Sequence, residues 1–373
     1  MSSMIALEAV RASAALPFEQ FATLPEDDIH VRIAAAKKAL GKRLVILGHH
    51  YQRDEVIRHA DFRGDSLKLA QQGVAMGDAR HIVFCGVHFM AETADILSSD
   101  QVSVTLPDLA AGCSMADMAD LPAVTTCWEE LDEVVGTAAI TPITYINSGA
   151  DLKAFCGENG GIVCTSSNAR RILEWAFART EKVLFFPDQH LGRNTALDMG
   201  ISPDQVVVWD PALELGGNTA EALQNARVIL WAGHCSVHQM FLPEHVDMFR
   251  EKYPDTRVIV HPECTREVVE KADCAGSTEY IIRTIRESPK GTRWVVGTEL
   301  NLVQRLNHES PDHEVHFLSP TYCVCSTMGR IDPPHLLWSL ENLVAGNVVN
   351  RIQVPEHDRE WARTALERML AAG

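Results

Sequence analysis

The apolar run LVILG at residues 44–48 stops at His49, His50 and Tyr51, and a helical stretch follows. A strand end with a purely structural task would use glycine, asparagine or aspartate. Imidazole and phenol groups placed there can instead hold anions and pass protons. The chain carries 10 cysteines, yet C-x-x-C occurs nowhere, so zinc ribbons and thioredoxin-type motifs have no support. The close pair is Cys323 and Cys325 in TYCVCSTM. Cys85 and Cys164 sit in strand-like runs, where cysteine serves as a small apolar residue. Any metal site has to be assembled from distant segments.

The elements that position these residues can be read from periodicity. Short apolar runs alternate with amphipathic helical stretches, the pattern of β-α units on parallel sheets. The predicted strands are RLVILGHH, HIVFCGV, QVSVTLP, ITPITYIN, GIVCTSS, KVLFFPD, RVIVHPE, RWVVGTEL and EVHFLSP. The helices include SLKLAQQGVAM, NARRILEWAFARTEK, TEYIIRTIRES and a surface-type C-terminal REWARTALERMLAA.

The strands fall into three groups of three. First strands end in GHHY, YINS and HPEC; second strands end in CGVHF, CTSSN and GTELN; third strands end at Pro107, Pro187 and Pro320. Cys113 follows Pro107 by six positions and Cys325 follows Pro320 by five. The middle group has Cys235 instead, after an extra segment ending in VILWAGHCSVH. Three related α/β domains are expected. Ligands of such sheets bind beyond the carboxyl ends of the strands, so three facing domains would enclose one cavity and bring one cysteine each.

Soft thiolates from remote segments suit zinc or a 4Fe-4S cluster. An all-cysteine structural zinc site normally has four ligands and close spacing, which is absent here. A cluster on three thiolates leaves one iron without a protein ligand, a Lewis acid for a substrate hydroxyl or carboxylate. Free buried thiols remain the alternative on pattern alone. No G-x-G-x-x-G, P-loop, G-x-S-x-G or H-E-x-x-H motif occurs, so nucleotide-loop, hydrolase-elbow and zincin chemistry are not indicated.

Together LGHHYQRDEV, ADFRGDSLKLAQ, GVHFMAETADIL, LPDLAAGCSMAD, TYINSGADLKAF, CTSSNA, GHCSVHQMF, HPEC, GTELNLVQRL and the final C-x-x-M, in order from about residue 40 to 345, resemble the quinolinate synthase (NadA) family. The resemblance implies an α/β fold of three similar three-layer αβα domains with small parallel sheets, related by pseudo-threefold symmetry around a central active site. It implies condensation of iminoaspartate with dihydroxyacetone phosphate to quinolinate, phosphate and water, for NAD biosynthesis. It implies a 4Fe-4S cluster on Cys113, Cys235 and Cys325, and functional coupling to L-aspartate oxidase as the source of iminoaspartate. Some members carry C-x-x-C-x-x-C at the last position, which can form a redox disulfide; Cys323 and Cys325 depart from that run.

By the same motifs, His49 and Tyr51 grip anions and relay protons, with helix capping as the plainer use of the histidine. Ser66, Ser166 and Thr278 open helices, where hydroxyl and backbone N–H groups suit a carboxylate or phosphate, or simply cap. Tyr145 and Asn147, two apart, face one side of a strand; they read as proton carrier and carboxylate donor, or as a core-edge pair. His238, three after Cys235, faces the cysteine if that turn is helical. His261 and Glu263 share a side, with Pro262 stiffening their spacing. Glu263 is the expected general acid or base, because no other carboxylate reads as sitting so squarely at a strand end.

The bulk numbers are those of an ordinary globular protein. Hydrophobic residues make up 46% and charged residues 22%. A net charge of -17 argues against nucleic acid or an anionic membrane as partner. No apolar run approaches a membrane span and no signal peptide is read, so a cytoplasmic location is expected. The expected division is an extension over 1–30, a first domain of 31–120 with 335–373, a second of 121–240 and a third of 241–334. Two other readings stay open from residues alone: a zinc lyase or hydrolase using His49, His261 and Glu263, and a non-catalytic iron–sulfur sensor.

Overall fold

In the computed structural model, which describes residues 14–74, 79–322 and 324–372, the chain builds three sheets in sequence order. The first unit contains β1 (Leu44–His49), β2 (Phe62–Gly64), β3 (His81–Cys85) and β4 (Ser103–Thr105). The second contains β5 (Ile140–Tyr145), β6 (Ile162–Cys164), β7 (Lys182–Phe186), β8 (Val206–Trp209) and β9 (Val228–Trp231). The third contains β10 (Arg257–Val260), β11 (Cys274–Ala275), β12 (Arg293–Gly297) and β13 (Glu314–Phe317). A late strand, β14 (Arg351–Ile352), returns to the first sheet and pairs antiparallel with β4. Every other pairing between these strands is parallel.

The sheets repeat one order: β2-β1-β3-β4, β6-β5-β7-β9 and β11-β10-β12-β13, with β14 and β8 added at edges. This corrects the grouping read from sequence. The partner of β6 in the other units is β2 and β11, not β3 and β12. Those two strands escaped notice because they are 3 and 2 residues long, too short for alternation to register. With the order corrected, each cysteine of the trio follows the fourth strand of its unit: Cys113 after β4, Cys235 after β9 and Cys325 after β13.

One continuous apolar core fills the first two units, and the third has its own around Trp294, Val258 and Ile281. The helix Glu26–Leu40 buries Ile29, Ile33, Ala36 and Leu40, a single stripe at helical spacing, and lies against the helix Pro333–Val344. Part of the predicted extension is held there too: Leu16 N–H donates to Asn342 Oδ1 at 2.8 Å, Trp338 Nε1 donates to Leu16 O at 2.6 Å, and Phe18 stacks on His335. Residues 1–13 of that extension, and Cys323, lie outside the described residues.

The C-terminal helix Glu356–Ala372, expected as a surface element, buries Ala362, Ala365, Leu366 and Met369. It lies on the helix Ala150–Glu158 and on β6 of the second unit. Its Arg359 and Arg363 donate to the carbonyls of Asp95, Ile96 and Ser98 in the first unit, so it joins the two. The crossing is close at Gly157, where a Cβ would stand 2.0 Å from Trp361 O.

Candidate active site

Strand register shows which residues are equivalent. Gly48 pairs with Cys85, Thr144 with Phe186 and Val260 with Gly297. One residue further on, His49, Tyr145 and His261 therefore occupy the same position in the three units. Two residues beyond them stand Tyr51, Asn147 and Glu263, on the same side of the backbone. On the outer strands Gly64, Cys164 and, one step past Ala275, Gly276 are the matching positions, and two residues on lie Ser66, Ser166 and Thr278. These nine residues, with His238, Cys113, Cys235 and Cys325, line one cavity of about 700 Å³, its open mouth included. Leu67, Val87, Phe89, Met90 and Met328 are among the apolar residues of its wall, which Asp65, Thr165 and Glu299 also line.

Neither Ser66 nor Thr278 is spent on capping. Asp65 Oδ1 accepts the N–H of Lys68 and Ser277 Oγ accepts that of Tyr280, which leaves both hydroxyls to the cavity. Thr278 donates to Tyr51 Oη at 3.2 Å, and Tyr51 Oη lies 2.7 Å from Thr298 Oγ1. Asn147 Oδ1 is buried and has no partner among the described residues.

Glu263 is the hub. Tyr145 Oη donates to its Oε1 at 2.6 Å, His238 Nδ1 lies 2.7 Å from Oε2, and His261 Nδ1 lies 3.8 Å from Oε1. Burial pushes the carboxyl up, but the two imidazoles and the tyrosine hydroxyl outweigh it and hold it below the usual carboxylate range. Tyr145 moves the other way: burial first, then the Glu263 charge, keeps its phenol protonated. His238 stacks on His261 with centroids 4.5 Å apart, and its Nε2 lies 3.1 Å from Thr298 Oγ1.

His49 and His261 repeat one local geometry. Tyr51 N–H donates to His49 Nδ1 at 3.2 Å, and Glu263 N–H donates to His261 Nδ1 at 3.4 Å. Burial lowers both to about 3, so both rings are neutral at pH 7. With Nδ1 accepting, the proton sits on Nε2, which makes each ring a donor.

The three cysteines share a turn. In each, the thiol accepts the backbone N–H groups two and three residues on: Met115 and Ala116, Val237 and His238, Thr327 and Met328. Each carbonyl accepts the N–H four residues on, from Asp117, Gln239 and Gly329. Each is followed by serine. Burial pushes all three thiols up, and the N–H groups aimed at sulfur oppose it only in part. Three thiolates on one tetrahedral ion would lie within about 4 Å of one another, whereas these do not come within 4.8 Å as a set. As a set they are therefore too far apart for one shared ion.

The N/O triad His49, His261 and Glu263 is not gathered at ion-binding distance, which removes the geometric basis of the zinc lyase reading. Among the described residues the donors that are so gathered are Cys235, His238 and Glu263, all within 4.8 Å of one another.

Two carboxylates contradict the expectation that Glu263 alone sits at a strand end. Asp188, two after the β7 residue Phe186, and Glu299, two after the β12 residue Gly297, are both fully buried. Asp188 caps the helix Gln189–Asp198 and Glu299 caps Leu300–Glu309. The N–H groups of Cys235 and Cys325 face these two carboxyls in turn. Arg305 was likewise missed: it donates to the carbonyls of His50 and Gln52 and to Asp54 at 3.0 Å, fixing the His49–Tyr51 loop from the third unit. The strand-end pattern G-T-E and the D-Q-H after Pro187 were the available signals.

The sequence profile of the family described as "Quinolinate synthetase A protein" matches residues 31–371. The chain belongs to the quinolinate synthase family. A quinolinate synthase of Rhodopirellula baltica is 57% identical over 366 residues, covering 95% of this chain and 93% of the relative. Those of Corynebacterium glutamicum and Acidobacterium capsulatum are 57% and 56% identical, covering 95% and 97% of this chain and 90% and 98% of their own lengths. The part of the chain before residue 31 lies outside the profile match. Among the described residues no helix is long and apolar enough to cross a membrane.

Proposed function

We propose that this chain condenses iminoaspartate with dihydroxyacetone phosphate to give quinolinate, phosphate and water in de novo NAD biosynthesis, in the cytoplasm, on iminoaspartate supplied by L-aspartate oxidase. The observation that carries the proposal is the convergence of three cysteine turns and the Tyr145–Glu263–His238 group on one cavity. Cys113, Cys235 and Cys325 are the residues that would hold a 4Fe-4S cluster. When bound, such a cluster offers one iron free of protein ligands as a Lewis acid for substrate oxygen.

The chain's own residues supply the rest. Ser66, Ser166 and Thr278 hold the substrates' anionic groups, each at the start of the segment after an outer strand. His49 Nε2 and Asn147 hold a carboxylate and fix its plane. Glu263, ionised and in contact with the Tyr145 hydroxyl, takes a proton from the condensing carbon and returns it to a leaving oxygen; Tyr145 relays it. His238 Nδ1, 2.7 Å from Oε2, and His261, stacked on His238, hold the Glu263 carboxylate in place while the proton is absent. The apolar residues of the wall exclude water from the hydrolysable imine.

The test is anaerobic assay of quinolinate formation from iminoaspartate generated in place and dihydroxyacetone phosphate. Wild type should form quinolinate, and Glu263→Gln should lose about 10²–10⁴-fold in rate while keeping its iron. Wild type that holds iron but forms no quinolinate would contradict the proposal.

A further inference from the structure

Cys235, His238 and Glu263 have a property that neither the condensation nor the three-thiol face uses: their donor atoms all lie within 4.8 Å of one another. They are the residues of the described chain that can share a single ion. His238 Nδ1 is buried, on a residue 1% exposed, and its one close polar neighbour among the described residues is Glu263 Oε2 at 2.7 Å, outside good hydrogen-bond geometry. Its other nitrogen is held by Thr298 Oγ1 at 3.1 Å, the outer contact that fixes a metal-binding imidazole. Glu263 Oε1 is held by the Tyr145 hydroxyl, which leaves Oε2 to bind.

We propose that when the cavity holds no cluster, Cys235, His238 and Glu263 bind one divalent ion of the zinc class. The site is independent of the cluster reading, since it needs only one of the three cysteines. Zinc takes thiolate, imidazole and carboxylate in a tetrahedron with a fourth position open. Binding expels the Cys235 thiol proton to solvent; the carboxylate binds as it stands, and His238 binds through Nδ1 with its ring proton on Nε2, facing Thr298 Oγ1. Thiolate and carboxylate together cancel the two charges of the ion, which limits the cost of burying it. With zinc bonds of about 2.0–2.2 Å, the 2.7 Å His238–Glu263 separation has to widen by roughly half an ångström. Occupancy would engage Glu263 and one thiolate of the larger face, so the ion and the cluster exclude each other.

The test uses the full chain freed of metal anaerobically and titrated with Co²⁺, whose thiolate charge-transfer and ligand-field bands report a tetrahedral sulfur-containing site. One equivalent of Co²⁺ should develop the bands, and one equivalent of Zn²⁺ should displace it. Cys113→Ser and Cys325→Ser should keep the bands, Cys235→Ser and His238→Gln should abolish them, and Thr298→Val should weaken binding about tenfold or more. X-ray absorption of the wild-type zinc form needs no variant and should count one sulfur with nitrogen or oxygen neighbours. Two or three sulfurs, or bands lost in Cys113→Ser, or unchanged in His238→Gln, would overturn the proposal. A chain reconstituted with cluster should give no Co²⁺ bands. If it does give them, the ion site stands and the assignment of Cys235 to the cluster fails.

Discussion

Tyr145, at the end of the second unit's central strand, donates to Glu263 of the third unit at 2.6 Å, across 118 residues of chain and with both side chains buried. The geometry of this pair is therefore set by how two units face each other, not by either alone. Removing the hydroxyl leaves Glu263 Oε1 buried and unpaired, which costs about 1–3 kcal/mol at that atom. Tyr145→Phe should lower the turnover rate about 10²-fold or more, with iron content unchanged. Glu263→Gln should be as severe. The double variant should be little worse than either, because the two act as one unit. Rates and iron content of the three proteins check this.

Glu279 joins the first and third units, with His50 Nε2 at 2.8 Å and Lys68 Nζ at 3.1 Å from its Oε1. The His50 hydrogen bond, more than any other influence, holds its carboxyl at about 2, against the opposing pull of burial. The folded value lies below the unfolded one of about 4.3, so the contribution is complete above that pH and is lost as pH falls through 2. The side chain is one-third exposed, which limits the contribution to about 1 kcal/mol. Urea unfolding of wild type and Glu279→Gln should differ by that amount at pH 7, and the gap should close between about pH 5 and pH 2.

Glu299 caps the helix Leu300–Glu309 through the N–H groups of Asn301 at 2.7 Å and Leu302 at 3.3 Å, and the Cys325 N–H faces it. Burial raises its carboxyl to about 7. Glu299→Ala should cost about 1–2 kcal/mol from the lost cap, visible as a lower Tm. The Cys325 turn should loosen with it, so iron should be lost faster to a chelator than from wild type. A capping role alone would change Tm and leave the chelation rate as it is.

Gly157 tests the join between the first two units. A methyl group there meets Trp361 backbone at 2.0 Å, so Gly157→Ala has to displace the C-terminal helix. Destabilisation of about 1–3 kcal/mol or more is expected, with the midpoint of denaturant unfolding as the measurement.

Much of this architecture was legible in the sequence. The long central strands announced themselves because β1, β3, β5, β7, β10 and β12 are buried, near-continuous apolar runs. Their polar ends pointed to the cavity for the same reason: His49, Tyr145, His261 and Glu263 interrupt those runs. What escaped were elements with weak local signals. The outer strands β2 and β11 are too short for periodicity, which displaced the alignment of the repeat. Asp188 and Glu299 read as ordinary helix caps, because their burial beside Cys235 and Cys325 exists only after folding. The Cys-Ser pair at 113, 235 and 325 was present in the sequence, but its meaning needed the shared turn.

Anaerobic iron and sulfide content of wild type and Cys235→Ser tests the central claim most directly. The account predicts about four of each per wild-type chain, and a sharp drop when one of the three convergent thiols becomes a hydroxyl. Equal content in both proteins, or iron-free wild type that still makes quinolinate at full rate, would contradict it.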